Sequence, residues 1–161
     1  MPLLDSRFYG QVDRPFASVD WTNPAVLNGA VANAGPVKIG VASQSLASAP
    51  QGQVTPGKNC WAIWGLAASQ PENHWASLCG YGPLAILVDA FEQHGVNVNL
   101  PPGMPSGLCY AMFIWSSIGI VDGQSLMHII GEAWFEIRQR SSDSQWIIVW
   151  EDCPKRARSC H

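Results

Sequence analysis

Two side chains in this 161-residue chain are of the types from which a thiol catalyst is built. Cys60 stands in GKNCWAIWG, residues 57–65, and His74 in PENHWASLCGYG, residues 71–82. A thiol attacks a carbonyl as its thiolate, and an imidazole within hydrogen-bond reach, about 2.6–3.2 Å, is the usual means of removing the proton. The elements that carry the two residues decide whether they meet. If residues 60–69 form a helix, a rise of ~1.5 Å per residue sets the side chains on the order of 13 Å apart along its axis. If 60–67 is a strand, SQPEN at 69–73 is the turn, and a hairpin there pairs Ala68 with His74 and Cys60 with residues near Gly82. Both geometries keep the thiol from the imidazole, so Cys60 is expected to be a decoy.

Other reactive residues have weaker patterns. Glu132 and Glu136 are four apart and Asp89 and Glu92 three apart, spacings that could serve a glycosidase's two carboxylates but are commonplace on helix faces. His94 precedes a helix-ending glycine, His128 lies among apolar residues in SLMHIIG, and Cys79 and Cys109 sit in apolar strands as small buried hydrophobes. Five cysteines, without a CxxC pair or a CxxH companion, argue against zinc. With no Gly-rich phosphate loop after a strand, neither a metal nor a cofactor is expected. Trp61, Trp64 and Trp75 could line a ligand groove or fill a core, and both readings stay open.

The elements that must position these groups are legible in part. Asn23-Pro24 opens a helix as cap and first residue, and Gly35-Pro36 closes it before an alternating strand from Val37. Residues 43–59, rich in Ser, Ala, Pro, Gly and Gln, read as a loop. HWASLCGY (74–81) reads as a strand ended by Gly82-Pro83, LAILVDAFEQH (84–94) as a helix stopped by Gly95, and NVNLPPGMPSG as a second loop. CYAMFIW (109–115) is a buried strand and SIGIVD continues extended; SLMHIIGEAWFEIRQR changes from helix to strand near Gly131, and WIIVW (146–150) is a last strand. No internal repeat or interdomain linker is evident.

Composition narrows the function classes. Hydrophobic residues make up 47% and charged ones 13%, about half the usual share of charge, which fits a well-covered fold or one half of something larger. Eight tryptophans point the same way, since large rings need partners or a groove. The net charge is −3, and Lys58 is the only Lys or Arg between Ile39 and Ile137, so the body lacks the basic face that nucleic acid requires. Lys155, Arg156 and Arg158 form a short solvated tail. No run approaches the roughly 18 apolar residues of a membrane span, and MPLLDSRFYG is too short and polar for a signal peptide. The odd cysteine count leaves at least one free thiol, and Cys153 with Cys160 could bridge in an oxidising compartment. A secreted and a cytosolic location both stay open.

From Ala25 the order is AVLNGAVANAGPVKIGV, a loop, ENHWASLCGYG and YAMFIWSSIG, which resembles the C-terminal half of a papain-like cysteine peptidase over roughly residues 24–120. In that family a helix ending near GPV leads into a strand. A "DHAV..VGYG" strand then carries the catalytic histidine, and "KNSWG" the asparagine that orients it. By this resemblance His74 falls on the catalytic histidine, Asn73 on the acidic or amide residue before it, and Cys79-Gly80-Tyr81-Gly82 on the close of the strand. Ser116 takes the place of the orienting asparagine, a serine hydroxyl being shorter than an amide, and Ile118 that of the family's Trp, with Trp115 displaced to the other side. Cys60-Trp61-Ala62 matches the family's nucleophile triplet. The family's base, however, follows its cysteine by roughly 130–150 residues, and the upstream cysteine and glutamine of that signature are absent.

The resemblance implies an α+β fold, a bent antiparallel sheet or half-barrel with two or three helices. Residues 1–23 are read as an extension, 24–150 as the histidine-bearing subdomain and 151–161 as a basic tail. It implies peptide-bond hydrolysis with His74 as general base and acid, the chain being truncated and inactive without a nucleophile half. The expected partner is that half, a peptide or protein, or a second copy of the chain. The alternatives are a non-catalytic papain-like domain that binds a peptide or partner protein, and an unrelated Trp-rich β domain that binds carbohydrate or peptide.

Overall fold

The computed structural model describes residues 16–47, 59–67 and 71–137. Eight strands and four helices follow along them: β1 Phe16–Ser18, α1 Pro24–Ala34, β2 Val37–Val41, α2 Ser43–Ala47, β3 Asn59–Ile63, β4 His74–Pro83, α3 Leu84–Gln93, β5 Asn97–Asn99, β6 Leu108–Ile114, β7 Ser117–Asp122, α4 Gly123–Ile129 and β8 Ile130–Glu136. The fold is α+β. The strands form one sheet in the order β1-β8-β2-β4-β6-β7-β3-β5, antiparallel except where β3 runs parallel to β7 and β5. Both edge strands are three residues long, which leaves little unpaired backbone to attract another chain.

Local chemistry accounts for the helix ends. Asn23 is extended, and its Oδ1 accepts from Ala25 N at 3.1 Å, while Pro24 supplies a first residue that needs no acceptor. Gly35, at φ +88°, releases the chain directly into β2. Asp122 caps α4 with Oδ2 accepting from Gln124 N and Ser125 N, both 3.1 Å. The helix then gives way to strand at Ile130, one residue before the glycine that signalled the change.

The sheet has two unequal faces. Leu27 and Val31 of α1 and Leu126 and Ile129 of α4 pack on Val37, Ile39, Val41, Leu78, Tyr110, Met112 and Val121 in the main core. On the reverse, Leu84, Leu87 and Phe91 of α3 cover Cys60, Ala62, Cys109, Ala111 and Ile120, a smaller cluster over β3, β6 and β7. Beyond α3 that face carries Lys38 and Trp75, both exposed, and Trp134, half-buried. Lys38, the one Lys or Arg among the described residues, lies within β2 between β8 and β4 and donates to Ser77 Oγ at 2.7 Å.

Several finer expectations change. The 43–59 loop opens with α2, and the loop after Gly95 contains β5. Four helices form, two of them of five and seven residues. Phe16–Ser18, within the stretch read as an extension, pairs with β8. SIGIVD is extended, as expected, but as the separate strand β7: Ile114 pairs with Ser117, and the chain reverses through Trp115 and Ser116. No helix of the described residues is long and apolar enough to cross a membrane. The 146–150 strand, Cys153, Cys160 and the 151–161 tail lie outside the described residues.

Candidate functional site

Cys60 belongs to β3, so the helical alternative for 60–69 does not form, and neither does the hairpin across 69–73. β3 pairs with β7 and β5, with Cys60 opposite Val98 and Trp61 opposite Gly119. The physical reason is burial on both faces. Cys60 and Ala62 point into the α3 cluster and Trp61 and Ile63 into the main core, so β3 behaves as an interior parallel strand rather than half of a surface hairpin. Two strands, β6 and β7, separate β3 from β4, a spacing of about 14 Å at ~4.8 Å per strand. Cys60 is 0% exposed, and its Sγ donates to Trp61 O at 3.4 Å. Burial pushes its thiol from 9.0 up to about 12, the reverse of what a nucleophile needs.

His74 has the opposite setting. It is exposed at the first residue of β4, paired with Val41 at the end of β2, and several elements fix its position. Asn73 N donates to Val41 O at 3.0 Å. Asn73 Oδ1 accepts from Ser43 N at 3.0 Å and Ser43 Oγ at 2.7 Å, thereby capping α2 from outside. The Glu72 carboxylate lies over Gly131 of β8, where a Cβ would overlap it. From the other flank the Trp115 ring meets the imidazole, with centroids 5.6 Å apart and planes tilted by 43°.

Trp115 and Ser116 form the two-residue connection between β6 and β7, with φ +51° and +59°. Both lie in the left-handed region, as in a type I′ hairpin turn, where Asn and Gly are the usual residues. The β4–β6 register pairs Ser77 with Phe113. Beyond that pair β4 begins at His74 and β6 ends in the Trp115–Ser116 turn. The histidine and the serine at the orienting position therefore share one end of the sheet. Ser117 closes the turn, its Oγ donating to Ile114 O at 2.8 Å and accepting from Trp61 Nε1 at 3.0 Å.

The remaining candidates scatter. Cys79 lies five positions along β4 from His74, at a bulge, and Cys109 is buried, its thiol raised to about 11 by burial and then by Asp122. Glu132 and Glu136 lie on a strand, where four residues span about 13 Å. Glu132 Oε2 accepts from Trp134 Nε1 at 3.0 Å. Asp89 and Glu92 are exposed on α3. His94 Nδ1 lies 2.8 Å from Ala90 O, and His128 Nδ1 3.0 Å from Leu66 O, each tied to backbone. Among the described residues no group of three or more His, Cys, Asp or Glu is placed to hold a metal ion. The three tryptophans of the possible groove part company: Trp61 is buried, Trp64 donates to Pro102 O at 3.2 Å, and Trp75 is exposed.

Sequence reasoning missed Trp115 as the ring beside His74 and Ser43 as the partner of Asn73. A consecutive pair of left-handed residues without Gly or Asn has no sequence signature, so the turn that brings Trp115 back was invisible. The chain matches no protein-family model and no curated protein.

Proposed function

We propose that this chain carries the proton-transfer histidine of a papain-like cysteine peptidase, His74, and acts with a half that supplies the thiol. The observation that carries the reading is the end of the sheet at which an exposed, braced His74 has Trp115, from the Trp115–Ser116 turn, against its ring. The sequence order that suggested the family is also an assembled unit, since α1 runs through Gly35 into β2 and β2 pairs directly with β4.

In the assembled site His74 takes the proton of the partner's thiol, and the thiolate adds to a peptide carbonyl. As the C–N bond breaks, the imidazolium gives that proton to the leaving amine, leaving a thioester. Water, deprotonated by His74, then hydrolyses the thioester, and the thiol is regenerated. Trp115 limits water beside the imidazole, and Ser116 offers it a hydroxyl in place of an amide. Cys60 takes no part.

A second reading is favoured by the absence of any thiol beside His74 among the described residues and by the serine at 116. It is a non-catalytic domain of this type that binds a peptide or partner protein near Trp75 and Trp115, 42% and 46% exposed. Fold does not by itself confer chemistry.

A thiol-directed peptidase probe with mapping of the labelled site separates the outcomes. On the chain alone, Cys60 should label slowly, at a rate indifferent to His74→Ala. Rapid labelling of Cys60 that vanishes with His74→Ala would overturn the assignment of the nucleophile to a partner. An in-frame cysteine at the head of an apolar helix, encoded roughly 130–150 residues before His74, identifies that partner half. Co-expressed, the two should cleave a fluorogenic peptide and lose that activity with His74→Ala; cleavage retained in that variant overturns the peptidase reading.

A further inference from the structure

The nucleophile-like triplet Cys60-Trp61-Ala62 has a use that does not involve its thiol. We propose that Trp61 and Ser117 are positioning residues for His74, acting through the Trp115–Ser116 turn. The inference deepens the reading of His74 as the acid–base group and rests on it.

The Trp115–Ser116 turn is a costly one. Two consecutive non-glycine residues with positive φ are strained by their own Cβ atoms, and a bulky aromatic in the first position is unusual. Such a conformation persists only where its surroundings over-determine it. Those surroundings are specific here. The Trp61 indole lies flat against Gly119, so closely that a Cβ on Gly119 would overlap the ring. Held there, its Nε1 donates to Ser117 Oγ at 3.0 Å, and the hydroxyl spends its own proton on Ile114 O at 2.8 Å. Ile114 and Ser117 are the residues on either side of the turn, so this second bond clamps its two legs together.

The brace therefore joins β3 to the turn, and the turn carries the ring that touches the imidazole. An indole N–H can only donate and a hydroxyl can do both, so the direction of the chain is fixed: Trp61 to Ser117 to Ile114. Trp61 is buried, with its Nε1 satisfied by Ser117. His74, exposed on one side, owes its orientation on the other to Trp115. Gly119 is needed for the same reason as Trp61, since no side chain fits between them.

The test reads the His74 ring protons by NMR in the full chain. With the two ring centroids 5.6 Å apart, these protons are expected to carry a ring-current displacement from Trp115, identified by its loss in Trp115→Leu. Ser117→Ala removes the clamp, and Trp61→Phe keeps a ring on Gly119 while removing the N–H. Both are expected to shrink the His74 displacement in the folded protein, and Ser117→Thr, which returns a hydroxyl, is expected to restore it. A wild-type displacement in both Ser117→Ala and Trp61→Phe would overturn the proposal, as would an unchanged His74 in Trp115→Leu. Because the readout needs no substrate, the two readings fail separately. Absent cleavage by the co-expressed halves counts against the peptidase; unmoved His74 signals count against the brace.

Discussion

The strand that holds Cys60 and the strand that holds His74 show what burial does to chemistry. Each carries, at its first or second residue, a candidate reactive group followed by tryptophan. β3 is covered on both faces, by α3 on one side and the main core on the other, and its thiol is held in the protonated form. β4 begins at the rim, where the imidazole is exposed and braced by neighbours on both flanks. A residue's type proposes a reaction, and its place in the sheet decides whether the reaction is available.

The contrast breaks most forcibly if the cover over Cys60 is removed. Phe91→Ala takes away a large buried ring of α3 and is expected to cost about 3–5 kcal/mol in urea unfolding, while quickening Cys60 alkylation. An unchanged alkylation rate would show that α3 is not what seals the thiol.

Alkali sharpens the same contrast. Burial raises Cys60 to about 12, Cys109 to about 11 and Tyr110 to about 12, all above their ordinary values of 9.0, 9.0 and 10.0. Each is neutral when protonated, and the folded state holds that proton more tightly than the unfolded chain does. Their contribution to stability is therefore complete below about pH 9 and is lost as pH rises from about 9 towards 12. Urea midpoints measured in steps across that range should fall, and Cys60→Ala should flatten part of the decline. A flat profile in the wild-type chain would contradict the burial of these groups.

Smaller effects belong to the rim. Asn73→Ala leaves the first amide of α2 without its side-chain acceptor and is expected to cost about 1 kcal/mol, with amide exchange quickened at Ser43. Ser116→Asn places a residue tolerant of positive φ in the turn and is expected to stabilise the chain by up to about 1 kcal/mol. It also offers His74 an amide, so the co-expressed halves should cleave peptide faster. A destabilised variant would mean that the turn is not left-handed at 116.

Much of the frame was legible because its signals are local. Asn23, Pro24 and Gly35 mark α1 by cap chemistry and left-handed backbone, Gly95 stops α3, and the alternation from Val37 is β2. The helix-to-strand change near Gly131 could be read because the apolar period shifts there. What escaped depends on partners distant in sequence. Nothing in NCWAI says that it lies parallel to β7 and β5, since an apolar run buried on both faces carries no period. SQPEN reads as a hairpin turn, yet the strands on either side of it join different neighbours. α2 depends on an amide acceptor thirty residues away at Asn73, and its own sequence looks like loop. The candidate site divides the same way. His74 and Ser116 came from a resemblance in order and spacing, whereas Trp115, Ser117 and Trp61 became connected only through the geometry of the turn.

The solitary lysine in β2 makes the chain its own gauge of opening. Trypsin must thread several extended residues through its cleft, and the Lys38–Ile39 bond is locked between β8 and β4 in the interior of the sheet. Hydrolysis there requires that both neighbours let go, so its rate tracks the share of molecules in which the sheet has come apart. The other eight Lys and Arg lie outside the described segments, so mass spectrometry that follows the Lys38 scission by itself, apart from the cuts at those sites, reads the opening of the sheet without dye, label or denaturant.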